Sequence, residues 1–293
     1  MDFTSYLALR SDLIEKQLDQ LIPERNVSHR ILLQAARYSL LNGGKRIRPL
    51  LTLAAAETLG GDIGKALIPA CAVEMIHTYS LIHDDLPCMD NDDFRRGKPS
   101  LHKAFPEGHA VLAGDFLLTY AFDVLAHYEQ LTAEQRLKLI AILSRKSGID
   151  GMIVGQVMDL EAEGKQIDLE SLQNIHRNKT GALIMASVEF GGVIADATKN
   201  QMEILRVFGR DVGLAFQIID DVLDVTASKQ KHGKVIASDV RNGKATYVSL
   251  LGLDMAREMA HNLLTSAVTS LQPLATDVSL LTRFAELMVY RNT

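Results

Sequence analysis

A chain of 293 residues can form one large domain or two smaller ones, and no linker-like stretch divides this one, so we expect a single domain over 1–293. Its net charge of −5, without a long basic or acidic tail, gives no reason to expect nucleic-acid binding or attachment to an anionic membrane. The 2 cysteines are too few for a disulfide framework or a zinc site, which favours a reducing cytoplasm.

The N-terminus lacks a basic segment followed by an apolar one, so the sequence does not predict a signal peptide. No apolar run reaches the roughly 18 to 20 residues that span a bilayer, and we expect no stable membrane insertion. Hydrophobic residues make up 47% of the chain, with only 7 prolines and 5% aromatics, a composition that favours helices over strands.

Apolar residues recur at spacings of three and four along most of the chain, the pattern of amphipathic or buried helices. This spacing predicts helices at roughly 4–21, 27–42, 47–59, 65–86, 108–128, 132–148, 150–162, 168–176, 179–195, 198–225, 245–271 and 275–290. No segment alternates long enough to predict a strand. The stretch 226–244 is polar and basic and predicts a mobile lid. The fold class expected is therefore all-α.

Two aspartate clusters stand beside or within apolar segments. The first acidic cluster is Asp84, Asp85 and Asp90, and the second acidic cluster is Asp220, Asp221 and Asp224. Two carboxylates about 4 Å apart repel by on the order of 4 kcal/mol at an effective dielectric near 20, so such clusters protonate or hold cations. An all-oxygen site with open coordination positions suits Mg²⁺, because phosphate oxygens can complete the coordination shell of the ion. The clusters predict a magnesium-dependent diphosphate enzyme, and the alternative is two solvated acidic helix ends.

The spacing within each cluster predicts its local geometry. Asp220 and Asp224 lie one helical turn apart on one face and can converge on one ion. Pro87 disfavours helical geometry at Leu86, so the first cluster cannot lie on an uninterrupted helix. We expect a helix end followed by a bulge that returns Asp90.

Basic residues lie near the first cluster and also precede it. Arg95 and Arg96 follow it, and the segment GGKRIRP occupies 43–49. A guanidinium group matches phosphate oxygens in a bidentate way, and glycines let the backbone approach an anion. Pro49 at a helix start leaves free N–H groups nearby. These segments predict a second anion site, although alone such a run is more often a solvated surface.

Five segments in this order carry a resemblance to a known family: GGKRIRP at 43–49, the stretch from His77 to Ser100, GQVMDL at 155–160, HRNKTGAL at 176–183 and FQIIDDVLDV at 216–225. Together they resemble the trans-isoprenyl diphosphate synthases, particularly the bacterial short-chain members. The resemblance implies an isoprenoid-synthase-type bundle of roughly ten or more helices around a central cavity, usually as a homodimer. It also implies three Mg²⁺ ions that bridge the facing acidic clusters to the diphosphate of an allylic substrate.

The resemblance also assigns roles to residues. The principal metal ligands would be Asp84, Asp90 and Asp220, with direct or water-mediated support from Asp85, Asp221 and Asp224. The allylic diphosphate would be held by Arg95, Lys179, Lys234 and Lys244. Isopentenyl diphosphate would be held by Lys45, Arg48, His77 and Arg96. Oxygen dipoles facing the allylic cation would come from the region of Lys179 and Thr180 and from Gln217.

Four residues are interpreted from their sequence context. Gln156 and Asp159, three apart on a predicted helix, can reach one neighbouring group and would orient water or Lys179. Asp115 is expected to be structural. Without the resemblance, His77 would be read as a hydrogen-bonded core histidine.

The implied reaction joins isopentenyl diphosphate to dimethylallyl or geranyl diphosphate and releases diphosphate, which takes the proton. A class I terpene cyclase is the first alternative, but its second metal motif typically carries Asn/Asp, Ser/Thr and Glu instead of DDVLD. A non-catalytic subunit of a related synthase is the second, and such chains tend to lose an acidic cluster, whereas both are present here.

Product length is predicted from Tyr79, five residues before Asp84 and about 7.5 Å deeper along the same helix. In similar bacterial members an aromatic there, with two extra residues between the acids, accompanies a fifteen-carbon product. Farnesyl diphosphate is therefore expected. Ser80 shares the helix row of Asp84 more closely. The alternative is that Tyr79 is ordinary core, with the cavity floor at Met75, Leu118 or a partner subunit, and geranylgeranyl diphosphate as product.

Overall fold

The structure is a computed structural model that describes residues 2–23, 27–230 and 244–291. Over these residues the chain is mostly helical, which confirms the expected all-α class. The helices are α1 (Phe3–Leu21), α2 (Arg30–Leu40), α3 (Ile47–Thr58), α4 (Ile63–Asp84), α5 (Leu101–Ala104), α6 (Glu107–Ala126), α7 (Ala133–Ser147), α8 (Met152–Ala162), α9 (Leu169–His176), α10 (Ala182–Ile194), α11 (Lys199–Gln230), α12 (Tyr247–Leu251), α13 (Leu253–Ser270) and α14 (Ser279–Val289). A π-helix, Arg177–Gly181, joins α9 to α10, and Phe94–Arg95 (β1) pairs antiparallel with Lys98–Pro99 (β2).

Helices α3, α4, α10 and α11 form the centre of the bundle. α10 contacts α3, α4, α7 and α11, and almost all of its side chains are buried, as expected for a helix that is apolar on every side. Gly191 lets α10 approach α3 closely, because a Cβ there would lie 2.5 Å from the Cβ of Ala55. The outer helices pack one apolar face on this centre and give the site residues a rigid support.

The end of α4 agrees with the bulge expected from Pro87. The helix ends at Asp84, and the backbone N–H of Asp90 donates to the Asp84 carbonyl at 2.9 Å. The chain thus folds back on itself and brings the first and last acids of the first cluster together.

Several predicted boundaries are wrong, each for a local reason. The helix predicted over 245–271 is divided at Gly252, whose φ of +80° interrupts the helical backbone. The helix predicted to begin at 179 starts as a π-helix that continues from α9. α11 runs to Gln230, so the first residues of the expected lid are helical. The rest of that lid, 231–243 with Lys234, lies outside the described residues and stays a prediction.

Among the described residues one helix, α6, is long and apolar enough to cross a membrane by length and composition alone. Core helices of globular proteins meet the same criterion, and α6 packs against α2, α4, α5 and α7. Gly114 makes its contact with α4 possible, since a Cβ there would lie 2.1 Å from Nε2 of His83. We therefore describe α6 as a helix of the bundle.

Candidate active site

The first acidic cluster contains one half-buried and one fully buried carboxylate at the end of α4. Burial raises the pKa of Asp84 to about 6, and Asp90 adds to this rise while Lys179 opposes it. Asp85 is buried and accepts hydrogen bonds from Arg95, with Nε 3.0 Å from Oδ1. The negative charge of Asp85 is therefore matched by a protein cation, whereas that of Asp84 is not fully compensated.

Asp159 on α8 gathers two of the expected phosphate-binding lysines. Its Oδ2 accepts from Nζ of Lys179 at 2.6 Å and from Nζ of Lys244 at 3.1 Å. Lys244 also donates to Oδ1 of Asp90 at 3.1 Å. The expected contact between Asp159 and Lys179 is present, whereas the side-chain amide of Gln156 has no hydrogen-bond partner among the described residues. Asp159 thus holds both lysines beside the first acidic cluster.

The position of Lys179 depends on an irregular backbone. It lies in the π-helix Arg177–Gly181. π-Helical turns are rare in proteins overall, but those that occur are often at functional sites. Gly155 of the GQVMDL segment lies against it, because a Cβ at 155 would be 2.1 Å from the backbone N of Lys179. The glycine therefore allows α8 and the π-helix to touch, which brings Asp159 within reach of the lysine.

The second acidic cluster lies on α11. Arg291, beyond α14, donates to Asp220 and, at 3.1 Å, to the carbonyl of Phe216, and its Cζ lies 3.8 Å from the Phe216 ring centroid. Burial raises the pKa of Asp220 even though Arg291, Lys45 and Arg48 oppose the rise. Asp224 is exposed one turn later. Arg291 was not predicted as a site residue, because an isolated arginine near a chain end carries no motif.

Asp221 points away from its neighbours in the cluster. Its Oδ1 accepts from Nε2 of Gln217 at 3.2 Å, and its Oδ2 accepts from the backbone N–H of Tyr247 at 2.8 Å. Thr180 in turn donates to Oε1 of Gln217 at 2.9 Å, so the two residues expected to face the cation do meet. Asp221 therefore joins α11, α12 and the π-helix.

Both Asp85 and Asp221 were expected to support the metal, directly or through water. Each is buried with its carboxylate on protein donors, because a single residue step along a helix turns a side chain by about 100°. These two acids hold Arg95 and the start of α12 in place, and their support of a metal ion stays a prediction.

The second anion site is formed by the GGKRIRP loop, α4 and the β-hairpin. Arg96 donates to the carbonyl of Gly43 and lies over Gly44, where a Cβ would be 2.7 Å from its Cζ. Nε of Arg48 is buried without a hydrogen-bond partner among the described residues. Burial, together with Arg48 and Arg96, holds the pKa of His77 well below its usual value. Lys45 and Arg96 are exposed, whereas Arg48 and His77 are partly buried.

Within the described part of the chain, no three His, Cys, Asp or Glu side chains converge closely enough to hold a metal ion. Lys244 donates to Asp90 and Arg291 donates to Asp220, so each of these two carboxylates has a protein cation beside it. The donor set still fits Mg²⁺, because it is all oxygen and the raised pKa of Asp84 marks a carboxylate whose charge lacks compensation. Lys234 lies outside the described residues.

The sequence profile of the polyprenyl synthetases matches residues 29–279. The chain belongs to the polyprenyl synthetase family. It is 47% identical to farnesyl diphosphate synthase of Bacillus subtilis, over 87% of this chain and 86% of that one. It is 44% identical to the large subunit 1 of a chloroplastic heterodimeric geranylgeranyl pyrophosphate synthase of Arabidopsis thaliana, over 99% of this chain and 80% of that one.

The structural comparison agrees with the family. A geranyltransferase of Helicobacter pylori, described as complexed with magnesium and isoprenyl diphosphate, superposes with a TM-score of 0.84 at 36% identity, over 97% of this chain and 96% of that one. The fold is therefore that of the prenyl synthases, and this family member is a prenyltransferase.

Proposed function

We propose that this prenyltransferase joins isopentenyl diphosphate to dimethylallyl or geranyl diphosphate, with farnesyl diphosphate as the main product. The observation that supports it most is the presence of two anion sites of different chemistry. One contains carboxylates with nearby lysines, and the other contains Arg48, Arg96 and His77 with no acid among its predicted ligands. The condensation joins two diphosphate substrates but ionises only one of them. It therefore needs one site that can hold metal ions and a second site that binds a diphosphate without them.

Asp84, Asp90, Asp220 and Asp224 would hold Mg²⁺, with Asp85 and Asp221 in support directly or through water. The family resemblance implies three ions per site. Bound there, the metal would neutralise charge on the departing diphosphate. The chain's own cations Arg95, Lys179 and Lys244 would bind the same group, the two lysines by exchanging Asp159 for phosphate oxygens. Lys234 is proposed to join them.

In the reaction the C1–O bond of the allylic substrate breaks and its electron pair leaves with diphosphate. The double bond of isopentenyl diphosphate supplies the electrons of the new bond from C4 to C1, and a proton passes from C2 to the released diphosphate. Lys45, Arg48, His77 and Arg96 would hold isopentenyl diphosphate. Thr180 and Gln217, which are hydrogen-bonded to each other, would turn oxygen atoms toward the cationic carbon. Such prearranged charges lower the barrier, and exclusion of water protects the cation.

Product length is the finer part of the proposal. Tyr79 is 5% exposed, and its ring lies edge-on to His83 at 5.7 Å between centroids. Ser80 instead donates its hydroxyl to the carbonyl of His77 at 2.9 Å, which makes it a poorer barrier. Geranylgeranyl diphosphate remains the second candidate, because a geranylgeranyl pyrophosphate synthase of Capsicum annuum is 46% identical over 89% of this chain.

We also propose a cytoplasmic homodimer. Apolar side chains stay exposed on α6 and α8, among them Leu112 at 57% and Ile153 at 47%, and such surfaces often mark subunit contacts. Light scattering coupled to gel filtration measures the mass. A monomer over the working concentration range would contradict this part of the proposal.

The enzymatic proposal is tested by incubating the protein with Mg²⁺, labelled isopentenyl diphosphate and each allylic primer. We expect diphosphate release that requires both substrates and is abolished by a chelator, with a fifteen-carbon product. Diphosphate release from an allylic substrate alone, with a hydrocarbon product, would indicate a cyclase. No release under any condition would indicate a non-catalytic subunit.

A further inference from the structure

One buried carboxylate, Glu74 on α4, lies near Arg96 of the second anion site and on the same helix as His77. It is 2% exposed and precedes His77 by three residues, so the two side chains lie on neighbouring positions of one helix face. Its Oε1 accepts from Nη1 of Arg46 at 2.6 Å, and Nη2 of Arg96 lies 4.0 Å from the same oxygen. Sequence motifs gave no signal for Glu74, since it lies inside an apolar helix away from both acidic clusters.

Arg46 links this carboxylate to the GGKRIRP loop. Although it stands in a basic run, it is 3% exposed and therefore does not face an anion in the cleft. Its guanidinium also donates to Oε1 of Glu15 and to the carbonyl of Leu40, each at 2.6 Å. The loop is thereby tied to α1, to the end of α2 and to α4.

The backbone at Arg46 requires such an anchor. Its φ of +48° lies in the left-handed region, which is unfavourable for a residue with a Cβ. Lys45, directly before it, is exposed, whereas the side chain of Arg46 is buried. The three hydrogen bonds of Arg46 stabilise the strained turn and so fix the backbone from which Lys45 and Arg48 extend.

Arg96 is held from the other side of the loop. Its guanidinium donates to the carbonyl of Gly43 and lies within 4.0 Å of Glu74. Burial lowers the pKa of both Arg48 and Arg96, and Glu74 is the foremost group that opposes this. The negative charge of Glu74 therefore offsets part of the repulsion among Arg46, Arg48 and Arg96.

We infer that Glu74 is a positioning residue for isopentenyl diphosphate: through Arg46, Arg96 and its own helix it sets the geometry of the residues that bind the homoallylic diphosphate. This inference rests on the proposed function. Glu74 does not touch the substrate, and its effect passes through the side chains that do. If Glu74 acted only through its charge, its removal should strengthen anion binding, because a carboxylate beside an anion site repels the anion. If Glu74 acts by positioning, its removal should weaken binding. The two effects thus predict changes of opposite sign.

The test compares Glu74→Gln with Glu189→Gln in the full-length protein. Glu189 is an equally buried carboxylate on α10 that pairs with Nε of Arg206 at 2.5 Å, away from the anion sites, so it serves as the matched control. The measurements are KM for isopentenyl diphosphate, KM for geranyl diphosphate, kcat, and the affinity for isopentenyl diphosphate by titration calorimetry without metal. Thermal unfolding of both variants measures how much each substitution lowers the stability of the fold.

For Glu74→Gln we expect KM and Kd for isopentenyl diphosphate to rise about tenfold, because small displacements of binding groups are costly. KM for geranyl diphosphate should change much less, and Glu74→Asp should recover part of the loss. Glu189→Gln should lower thermal stability without separating the two substrates. Unchanged or tighter binding of isopentenyl diphosphate by Glu74→Gln, or the same kinetics in both variants, would overturn the inference. A wild-type protein without metal-dependent diphosphate release would instead overturn the proposed function.

If Glu74→Gln does not fold, Arg46→Lys gives the same test. Lysine keeps the positive charge but cannot reach three acceptors in the geometry of a guanidinium group. It should raise Kd for isopentenyl diphosphate several-fold and leave KM for geranyl diphosphate nearly constant. Equal changes for the two substrates would contradict positioning.

Discussion

Arg291 donates a hydrogen bond to Asp220, a proposed metal ligand, from the far end of the described chain. The guanidinium is held in place by the Phe216 ring and carbonyl, so it is a fixed counter-ion. A metal ion and this guanidinium therefore compete for one carboxylate. The arginine also opposes the rise that burial causes in the pKa of Asp220.

Arg291→Gln should accordingly lower the Mg²⁺ concentration for half-maximal activity by about twofold to fivefold, the scale of one partly exposed ion pair. Calorimetric titration of Mg²⁺ into the protein with a diphosphate analogue measures the same change without turnover. Arg206→Gln, which removes a guanidinium from Glu189, is the control and should leave the Mg²⁺ requirement unchanged. A higher Mg²⁺ requirement in Arg291→Gln would contradict competition.

The metal-ligand assignment itself is tested by Asp84→Asn and Asp220→Asn. Each substitution keeps side-chain shape and removes a charge, so turnover should fall by about two orders of magnitude or more while circular dichroism stays helical. Asp115→Asn on α6, with its carboxylate 55% exposed, is the control and should keep wild-type turnover. Wild-type activity in chelated buffer would rule out the metal role.

The helices could be predicted from the sequence because they depend on local apolar periodicity. The end of α4 at the first acidic cluster could be predicted because it depends on Pro87. It did not predict the direction of side chains within a cluster: Asp220 and Asp221 are adjacent, yet only Asp221 bonds to the backbone of Tyr247. That partner lies 26 positions away, and its distance depends on the packing of α12 on α11. Arg46 was read with the basic surface for the same reason, since its burial follows from Glu15 and Glu74 on other helices.

Arg48→Ala separates the two anion sites. Nε of Arg48 is buried without a partner among the described residues, so a diphosphate would supply its missing acceptor. We expect KM for isopentenyl diphosphate to rise about tenfold to a hundredfold, the scale of a charge-assisted hydrogen bond. KM for the allylic primer should change by less than about threefold. Equal effects on both substrates would contradict the assignment of Arg48.

Stability should depend on pH through His176. Burial lowers the pKa of this histidine to about 4, and its Nδ1 has no hydrogen-bond partner in the described part of the chain. Between about pH 6.5 and 4 the unfolded chain binds a proton that the folded protein excludes. The free energy of unfolding should therefore fall with decreasing pH by about 1.4 kcal/mol per unit in this window.

His176→Phe removes this titration and keeps a ring against Tyr247, whose centroid lies 5.4 Å away. Denaturant unfolding at several pH values should give a shallower slope for the variant, with a difference approaching about 3 kcal/mol near pH 4. The exposed His29 provides the control: His29→Gln should keep the wild-type slope. Parallel curves for wild type and His176→Phe would show that His176 is protonated in the folded state.

The product length depends on whether Tyr79 closes the cavity. Its ring is buried against His83, and burial together with Asp84 raises the pKa of its hydroxyl to about 12, so it stays a neutral, bulky group. Tyr79→Ala should remove the barrier and shift products from fifteen to twenty carbons or more. Tyr79→Phe keeps the ring and should keep the wild-type product, which separates size from the hydroxyl. Chromatography of the dephosphorylated alcohols measures the distribution. If Tyr79→Ala makes the wild-type products, the floor must lie elsewhere, and Met75 or Leu118 becomes the next position to substitute.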